Sequence, residues 1–399
     1  VDQVMDQVID RILRLSDPRQ ALERKVQVRN NELVVEDSRF QFSKPLVISV
    51  GKASVKMANF FLEKLSNYEA IVVKPKGDNL TVEGHAQIIH SSHPYPDDES
   101  FRAGRLVREA LMTWDYDLVI FLLSGGASSL MEDPIPPAQL YVETMKKLVT
   151  SGLGIDEINI VRKHLSRVKG GRLASLARSQ VVTLVVSDVP GNDLSVVGSG
   201  PTIPDPSTVD EARQILEQLN LDLVQYLEET PKQLSNSWVF LIQSVRDVLR
   251  GLTDMPGAVI LSSEVRGEAR SLGSLLASIV NTRELSFRRP FTILLGGEPE
   301  VTVRGPAGKG GRNGEVCLSF LEWVKVTNVT LYAVATDGID GNSEYAGCVV
   351  SGGMDVPKRD IRKALETHSS YELLERIGAV IKTGPTGTNV NNVYVLIAP

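Results

Sequence analysis

Four apolar runs narrow what this chain can fold into: LVISV (46–50), AIVVK (70–74), DLVIFLL (117–123) and VVTLVVS (181–187). None alternates polar with apolar, so each predicts a strand buried on both faces. A sheet of such strands is parallel and carries helices on either side. Helical patterns stand between the runs: SVKMANFFLEKL after the first, DESFRAGRLVREALMTW before the third, and the stretch from Pro137 to Val149 before the fourth. QIIHS (87–91) adds a fifth strand. Ligands bind such sheets beyond the C-terminal ends of the strands, which directs attention to the loops found there.

Ahead of this pattern, Val1, Val4, Met5, Val8, Ile9 and Ile12 follow the spacing of an amphipathic helix rather than the contiguous core of a leader peptide. Asp17-Pro18 predicts the cap and first position of a second helix over 18–28. A polar break at 225–240, with Pro231, separates two halves. Beyond it come VFLIQ, AVILS, a helix around 267–281, FTILLGG, a helix at 313–326, LYAVAT, CVVS and NVYVLIA. FTILLGGEPEVTVR reads as a hairpin, which predicts a mixed sheet. The expected fold class is therefore α/β with two domains. Residues 1–235 form a Rossmann-like, doubly wound parallel sheet, and residues 236–399 an α/β domain with a mixed sheet.

The net charge of −6 argues against nucleic acid as a partner. No apolar run is long enough to span a membrane. Cys317 and Cys348 belong to no CxxC or Cys/His cluster, so structural zinc has no support. So few cysteines suit a reducing compartment, and a cytoplasmic location is expected.

Several strand-end segments carry residues suited to anion chemistry. SVGKASVKMA places Lys52 straight after a parallel strand. LLSGGASSLMEDP offers Ser124, Gly125, Gly126 and Ser128 as an open turn with free N–H groups, a candidate anion nest. DEINIVRKHLSRVKGGRLA (156–174) has an apolar stripe at Ile158, Val161, Leu165 and Val168. Its other faces carry Arg162, Lys163, His164, Arg167 and Lys169, with no acid between Glu157 and Asp188. Such a one-signed face is either solvated or the wall of an anion site. SDVPGNDLSVVGSGPTIPDPST (187–208) is a long irregular stretch containing Asp188 and Asp193, and ATDGIDGNSEYAG (335–347) repeats the strand-then-acid theme with Asp337. Acids in such places can hold Mg²⁺ together with phosphate oxygens. RGPAGKGGRNGEVC (304–317) fails the Walker pattern because Lys309 is followed by Gly310. Even so, the N–H groups of Gly310 and Gly311 can approach an anion, and Arg312 stands where the helix dipole favours one. The reading from motifs alone is a phosphate-handling α/β enzyme.

Taken in order, VGKA, HPYPDDES, LLSGGASSL, EINIVRKHLSRVKGGRLA, SDVPGNDLSVVGSGPTIPDPST, GGEPEVTVRGPAGKGGRNGE, ATDGIDGNSEYAG and TGPTGTNVNN resemble the class II glycerate 2-kinases, whose C-terminal half is the MOFRL domain. The chain departs from the usual pattern at Ala127, at Gly314 and in GGEPE. The resemblance implies an ATP- and Mg²⁺-dependent kinase that converts D-glycerate to 2-phosphoglycerate and ADP, with its active site in the interdomain cleft. It places the catalytic lysine at Lys52 and the catalytic arginine at Arg312. Ser124, Gly125, Gly126, Ser128, Arg162, Lys163, Gly310 and Gly311 are then the expected substrate and phosphate contacts. Asp188, Asp193 and Asp337 are the expected metal ligands, with Asp188 and Asp193 alternatively serving as base for the substrate hydroxyl. The expected partners are D-glycerate and nucleotide, with a homodimer as the candidate assembly. The competing enzyme class is an NAD(P)H-dependent hydroxypyruvate reductase, against which stands the absence of a G-x-G-x-x-G fingerprint. A non-catalytic anion-binding module is the third reading.

Overall fold

The computed structural model describes residues 2–191, 193–282 and 288–399. The chain forms two compact units. The N-terminal unit comprises Pro18–Ser187 and Asp193–Ile242, and the C-terminal unit Val1–Asp17, Asp188–Asn192 and Gln243–Pro399. The first helix, α1 (Asp2–Leu15), therefore groups with the C-terminal unit. There Arg11 donates to the Gly251 carbonyl at 2.8 Å, and Gln243 donates to the Leu15 carbonyl at 2.8 Å. Val8 and Ile12 of its predicted apolar face are buried; the side chains of Val1, Val4 and Met5 lie outside the described residues.

In the N-terminal unit α2 (Pro18–Lys25) stops short of the expected residue 28. The following VQVR is a strand, β1 (Val26–Arg29), which pairs antiparallel with β2 (Glu32–Val35), itself paired with β3 (Ser38–Gln41). Asn30 and Asn31, both at positive φ, make the two-residue turn that such a hairpin needs. The main sheet runs β6-β5-β4-β7-β8-β9, made of β4 (Pro45–Val50), β5 (Glu69–Pro75), β6 (Gln87–Ser91), β7 (Leu118–Ser124), β8 (Val181–Val186) and β9 (Ser237–Gln243). The β6-β5-β4-β7-β8 ladders are parallel. Every residue of β4, β7 and β8 is buried, as their unbroken apolar runs require. Helices α3 (Ser54–Leu62), α4 (Asp98–Thr113), α5 (Ala127–Leu130), α6 (Ala138–Val149), α7 (Ile155–Leu165), α8 (Arg172–Leu176) and α9 (Val209–Gln218) complete the unit. The predicted stripe Ile158, Val161 and Leu165 packs with Tyr141, Met145 and Leu148 of α6 and with Ile215 and Leu216 of α9. VFLIQ, expected to open the second half, is instead the last strand of this sheet, so the change of unit follows Ile242.

The C-terminal unit adds α10 (Val245–Gly251), β10 (Ala258–Val265), α11 (Ala269–Asn281), β11 (Phe291–Gly297), α12 (Arg312–Trp323), β12 (Thr330–Ala335), β13 (Gly347–Ser351), α13 (Lys358–Glu366), α14 (Ser370–Arg376), β14 (Val380–Ile381) and β15 (Asn392–Ala398). Its sheet, in the order β10-β11-β15-β12-β13-β14, is mixed: β10 and β11 are parallel and the other ladders antiparallel. The expected hairpin is not formed. Both edges of β11 are taken by β10 and β15, which leaves VTVR (301–304) no edge to pair with. Cys317 of α12 and Cys348 of β13, both fully buried, form a disulfide. The cysteine count therefore no longer speaks for a reducing compartment. No described helix is long and apolar enough to cross a membrane.

The helix that carries Arg312 is fixed at its start by a buried acid. Asp340 accepts from the N–H groups of Asn313 (3.2 Å) and Gly314 (3.0 Å) and from the Tyr371 hydroxyl. The next layer is amide: Tyr394 donates to Asn313 Oδ1 (2.7 Å), Asn313 to Asn392 Oδ1 (2.9 Å), and Asn392 to the Gly297 carbonyl (3.1 Å). Along its length α12 meets α11 closely, because a Cβ on Gly273 would lie 2.3 Å from the Val316 carbonyl oxygen. Asp340→Ala removes the cap and leaves the Tyr371 hydroxyl without its acceptor. It is expected to destabilise the C-terminal unit by about 2–4 kcal/mol, read by denaturant unfolding. Unchanged stability would contradict this role.

In the N-terminal unit Asp97 caps α4, accepting from Ser100 N–H at 3.1 Å, Lys76 at 2.5 Å and Ser92 at 2.6 Å. Burial opposes the charge, but the Lys76, Ser92 and Ser100 donors outweigh it and hold the carboxyl at about 2, below its ordinary 3.8. A lowered acid adds stability above its ordinary value that is lost as the pH falls toward 2. Thermal melts of wild type and Asp97→Asn are therefore expected to differ most above about pH 5 and to converge by about pH 2. A difference independent of pH would refute the assignment.

Candidate active site

At the C-terminal end of β4 the chain turns at Gly51, whose φ of +131° and crowding suit no other residue: a Cβ there would lie 2.1 Å from Ser124 Oγ. Lys52 N–H then donates to the Gly125 carbonyl at 2.9 Å, and Ala53 N–H to Ser124 Oγ at 3.0 Å. Ser124 is fully buried, and its hydroxyl also points to the Val50 carbonyl. Its hydroxyl thus joins the ends of β4 and β7. Gly125 likewise gives its carbonyl to that junction. Gly126, at φ +89°, opens α5, and a side chain there would enter the space between His93 and the Lys52 stem, 3.2 Å and 3.5 Å away. His93 is a neighbour of Lys52 that residue-type reasoning missed, although HPYPDDES contains it.

Ser128 shares a hydrogen bond with Ser199, Oγ to Oγ at 2.9 Å. Ser199 lies between Gly198 and Gly200, and all three have positive φ. For serine that is an uncommon conformation, of the kind that gathers at functional sites. The 187–208 stretch is irregular but tied down, since Gly170 and Gly171 N–H donate to the carbonyls of Ser199 (3.0 Å) and Gly200 (2.8 Å).

The one-signed face is largely neutralised by acids from other parts of the chain. Buried Lys163 pairs with Asp205 at 3.7 Å, Arg167 with Asp133 at 3.6 Å, Lys169 with Glu132 and Arg172 with Glu228 at 3.4 Å. Burial opposes the Asp205 charge, but Ser207, Lys163 and Thr230 prevail and lower its carboxyl. Lys163, an expected phosphate contact, is buried in this ion pair. Arg162, half-buried, makes no ion pair among the described residues and remains a candidate.

In the C-terminal unit the glycine loop is also occupied from within. A Cβ on Gly311 would lie 2.5 Å from Asp340 Cγ, so this glycine makes room for the capping carboxylate. Gly310 N–H, an expected anion donor, donates to Asn342 Oδ1 at 2.8 Å. Arg312 reaches out of this scaffold, its side chain 35% exposed and paired with Glu298 at 3.0 Å. Burial disfavours its charge, but Glu298 more than compensates and the guanidinium stays protonated. Beside it lies a depression of about 310 Å³ lined by Val301, Val303, Ala307, Glu315 and His368. His368 Nε2 accepts from Arg304 N–H at 3.1 Å, which leaves Nδ1–H to donate to Glu315 at 2.9 Å. This histidine, which holds the start of the loop, had no motif to reveal it.

Among the expected metal ligands, Asp193 accepts from the N–H (3.1 Å) and hydroxyl (2.6 Å) of Ser195, and Asp337 accepts from Ile339 N–H at 3.0 Å. Asp188 belongs to the C-terminal unit and Asp193 to the N-terminal one. No group of three or more metal-binding side chains occurs among the described residues. Carboxylates supplied singly fit Mg²⁺ brought in by a nucleotide, which keeps waters and phosphate oxygens as its other ligands.

Residues 4–231 match the family described as a domain of unknown function (DUF4147), and residues 291–392 match the MOFRL family. The chain is 52% identical to a glycerate 2-kinase of Sulfurisphaera tokodaii, over 98% of this chain and 99% of that one. A relative from Agrobacterium vitis, 37% identical over 88% of this chain and 98% of its own, is provisionally named a hydroxypyruvate reductase. A crystal structure of glycerate kinase from Thermotoga maritima superposes with a TM-score of 0.85 at 32% identity, covering all of both chains. The chain belongs to the class II glycerate 2-kinase family, with an N-terminal DUF4147 domain and a C-terminal MOFRL domain.

Proposed function

We propose that the protein is an ATP-dependent glycerate 2-kinase, which transfers the γ-phosphoryl group to the 2-hydroxyl of D-glycerate and releases 2-phosphoglycerate and ADP. The end-to-end likeness to a glycerate 2-kinase carries this reading. In the reaction the glycerate O2 forms a bond to the γ-phosphorus, the bond from phosphorus to the ADP oxygen breaks, and the hydroxyl proton passes to a carboxylate.

Such a transfer leaves little covalent work to the protein and much electrostatic work. The N-terminal unit supplies Lys52, held half-buried at the end of β4, for the substrate carboxylate or the moving phosphoryl group. Its neighbours for the same anion are the Gly125-Gly126 turn, Ser128 and Arg162. The C-terminal unit supplies Arg312, permanently charged beside Glu298, for the equatorial oxygens, with Gly311 at the foot of the same helix. Mg²⁺ would neutralise the nucleotide phosphates, with Asp188, Asp193 and Asp337 as its proposed ligands. Asp188 and Asp193 are also the proposed acceptors of the hydroxyl proton, and the two roles separate by experiment: loss of a ligand raises the Mg²⁺ requirement, whereas loss of a base lowers the rate at saturating Mg²⁺.

Lys52→Ala and Arg312→Ala are each expected to lower kcat for ADP release with D-glycerate by about 10²–10³-fold, while melting temperature and circular dichroism stay near wild type. A folded variant with wild-type turnover would remove that residue from the mechanism. NADH oxidation with hydroxypyruvate, run in parallel, is expected to be absent. NADH consumption without glycerate-dependent ADP release would replace the kinase reading with the reductase one.

A further inference from the structure

Beneath the Ser128 turn lies a buried polar cluster to which the mechanism above gives no task. Glu132 is 0% exposed, Lys169 1%, Tyr141 1% and Ser166 0%. Lys169 donates to Glu132 Oε2 and, at 2.9 Å, to the Ser128 carbonyl. Tyr141 donates to Glu132 Oε2, while Ser166 and Asp133 N–H donate to Oε1. A buried ion pair is weak evidence for stability, because apolar residues of similar volume often serve as well. What an apolar residue cannot do is hold the Ser128 carbonyl.

That carbonyl needs a partner. In a continuing helix it would accept from Glu132 N–H, but α5 ends at Leu130 and Glu132 N–H donates to Ser100 O at 3.0 Å instead. Lys169 takes the vacated carbonyl. The next residue, Gly170, donates to the carbonyl of Ser199, the hydroxyl partner of Ser128. One short segment thus grips the backbone of both serines.

We infer that Lys169 is a positioning residue: through the Ser128 carbonyl it fixes the Ser128–Ser199 hydroxyl pair for the small anionic substrate. The inference rests on the proposed function in placing that substrate at the 125–129 turn.

The test is steady-state kinetics of Lys169→Met/Glu132→Gln, which removes the ammonium without stranding a lone buried charge, beside Ser128→Ala. The double variant is expected to raise KM for D-glycerate by about ten-fold or more, leaving KM for ATP within about two-fold and the melting temperature near wild type. Adding Ser128→Ala to it is expected to give little further loss, because the residues act as one unit. A folded double variant with wild-type KM for D-glycerate overturns the inference, as does one in which both KM values rise and stability falls together. If the double variant does not fold, Ser128→Ala decides alone: an unchanged KM for D-glycerate overturns the inference, and a rise confined to D-glycerate supports it. Wild type that transfers no phosphoryl group to D-glycerate overturns the proposed function and this inference with it, an outcome separate from any variant.

Discussion

Everything that α12 presents depends on one buried carboxylate. Asp340 closes the helix start through two backbone N–H groups and the Tyr371 hydroxyl. The close approach is possible only because residue 311 has no side chain. Burial raises the Asp340 carboxyl, and these donors pull against that rise. Asn313 and Asn392 then tie the same turn to β11. Arg312 leaves this scaffold at its first residue, so its backbone is set by the interior while its guanidinium meets solvent and Glu298.

The N-terminal unit solves the same problem with different groups. Gly51 lets the end of β4 lie against Ser124, and two backbone N–H bonds lock the two loops together. Lys52 is displayed from that junction as Arg312 is displayed from its cap. Charge is also economised in one way throughout. The cations of the 162–172 segment are matched by Glu132, Asp133, Asp205 and Glu228, leaving Arg162 without an acid among the described residues. The basic run is thus largely paired within the protein.

The parallel strands were legible because a doubly buried strand has to be continuously apolar, and β4, β7 and β8 are buried at every residue. The three-stranded meander was legible in principle, from Asn-Asn between alternating runs, but the capping signal at Asp17-Pro18 drew the helix too far. VTVR has the alternation of a strand and fails as one only because both edges of β11 are occupied, which is a tertiary fact. The pairing of the basic face was hidden for a similar reason, since its counter-charges lie up to 56 residues away along the chain. Ser124 and Gly310 have the residue types of an anion nest, but local sequence does not show that their polar atoms are already bonded within the protein. The Cys317–Cys348 pair, separated by 31 residues, belongs to no spacing motif. Lys52 and Arg312 are proposed from resemblance together with their strand-end and helix-start positions, and none of these signals assigns the hydroxyl that is phosphorylated.

The most direct measurement is phosphorus NMR of the product formed from D-glycerate, ATP and Mg²⁺ by the purified protein. The account predicts a phosphomonoester coupled to the single C2 proton, the signature of 2-phosphoglycerate. A signal coupled to the two C3 protons, or inorganic phosphate with no phosphoglycerate, would contradict it.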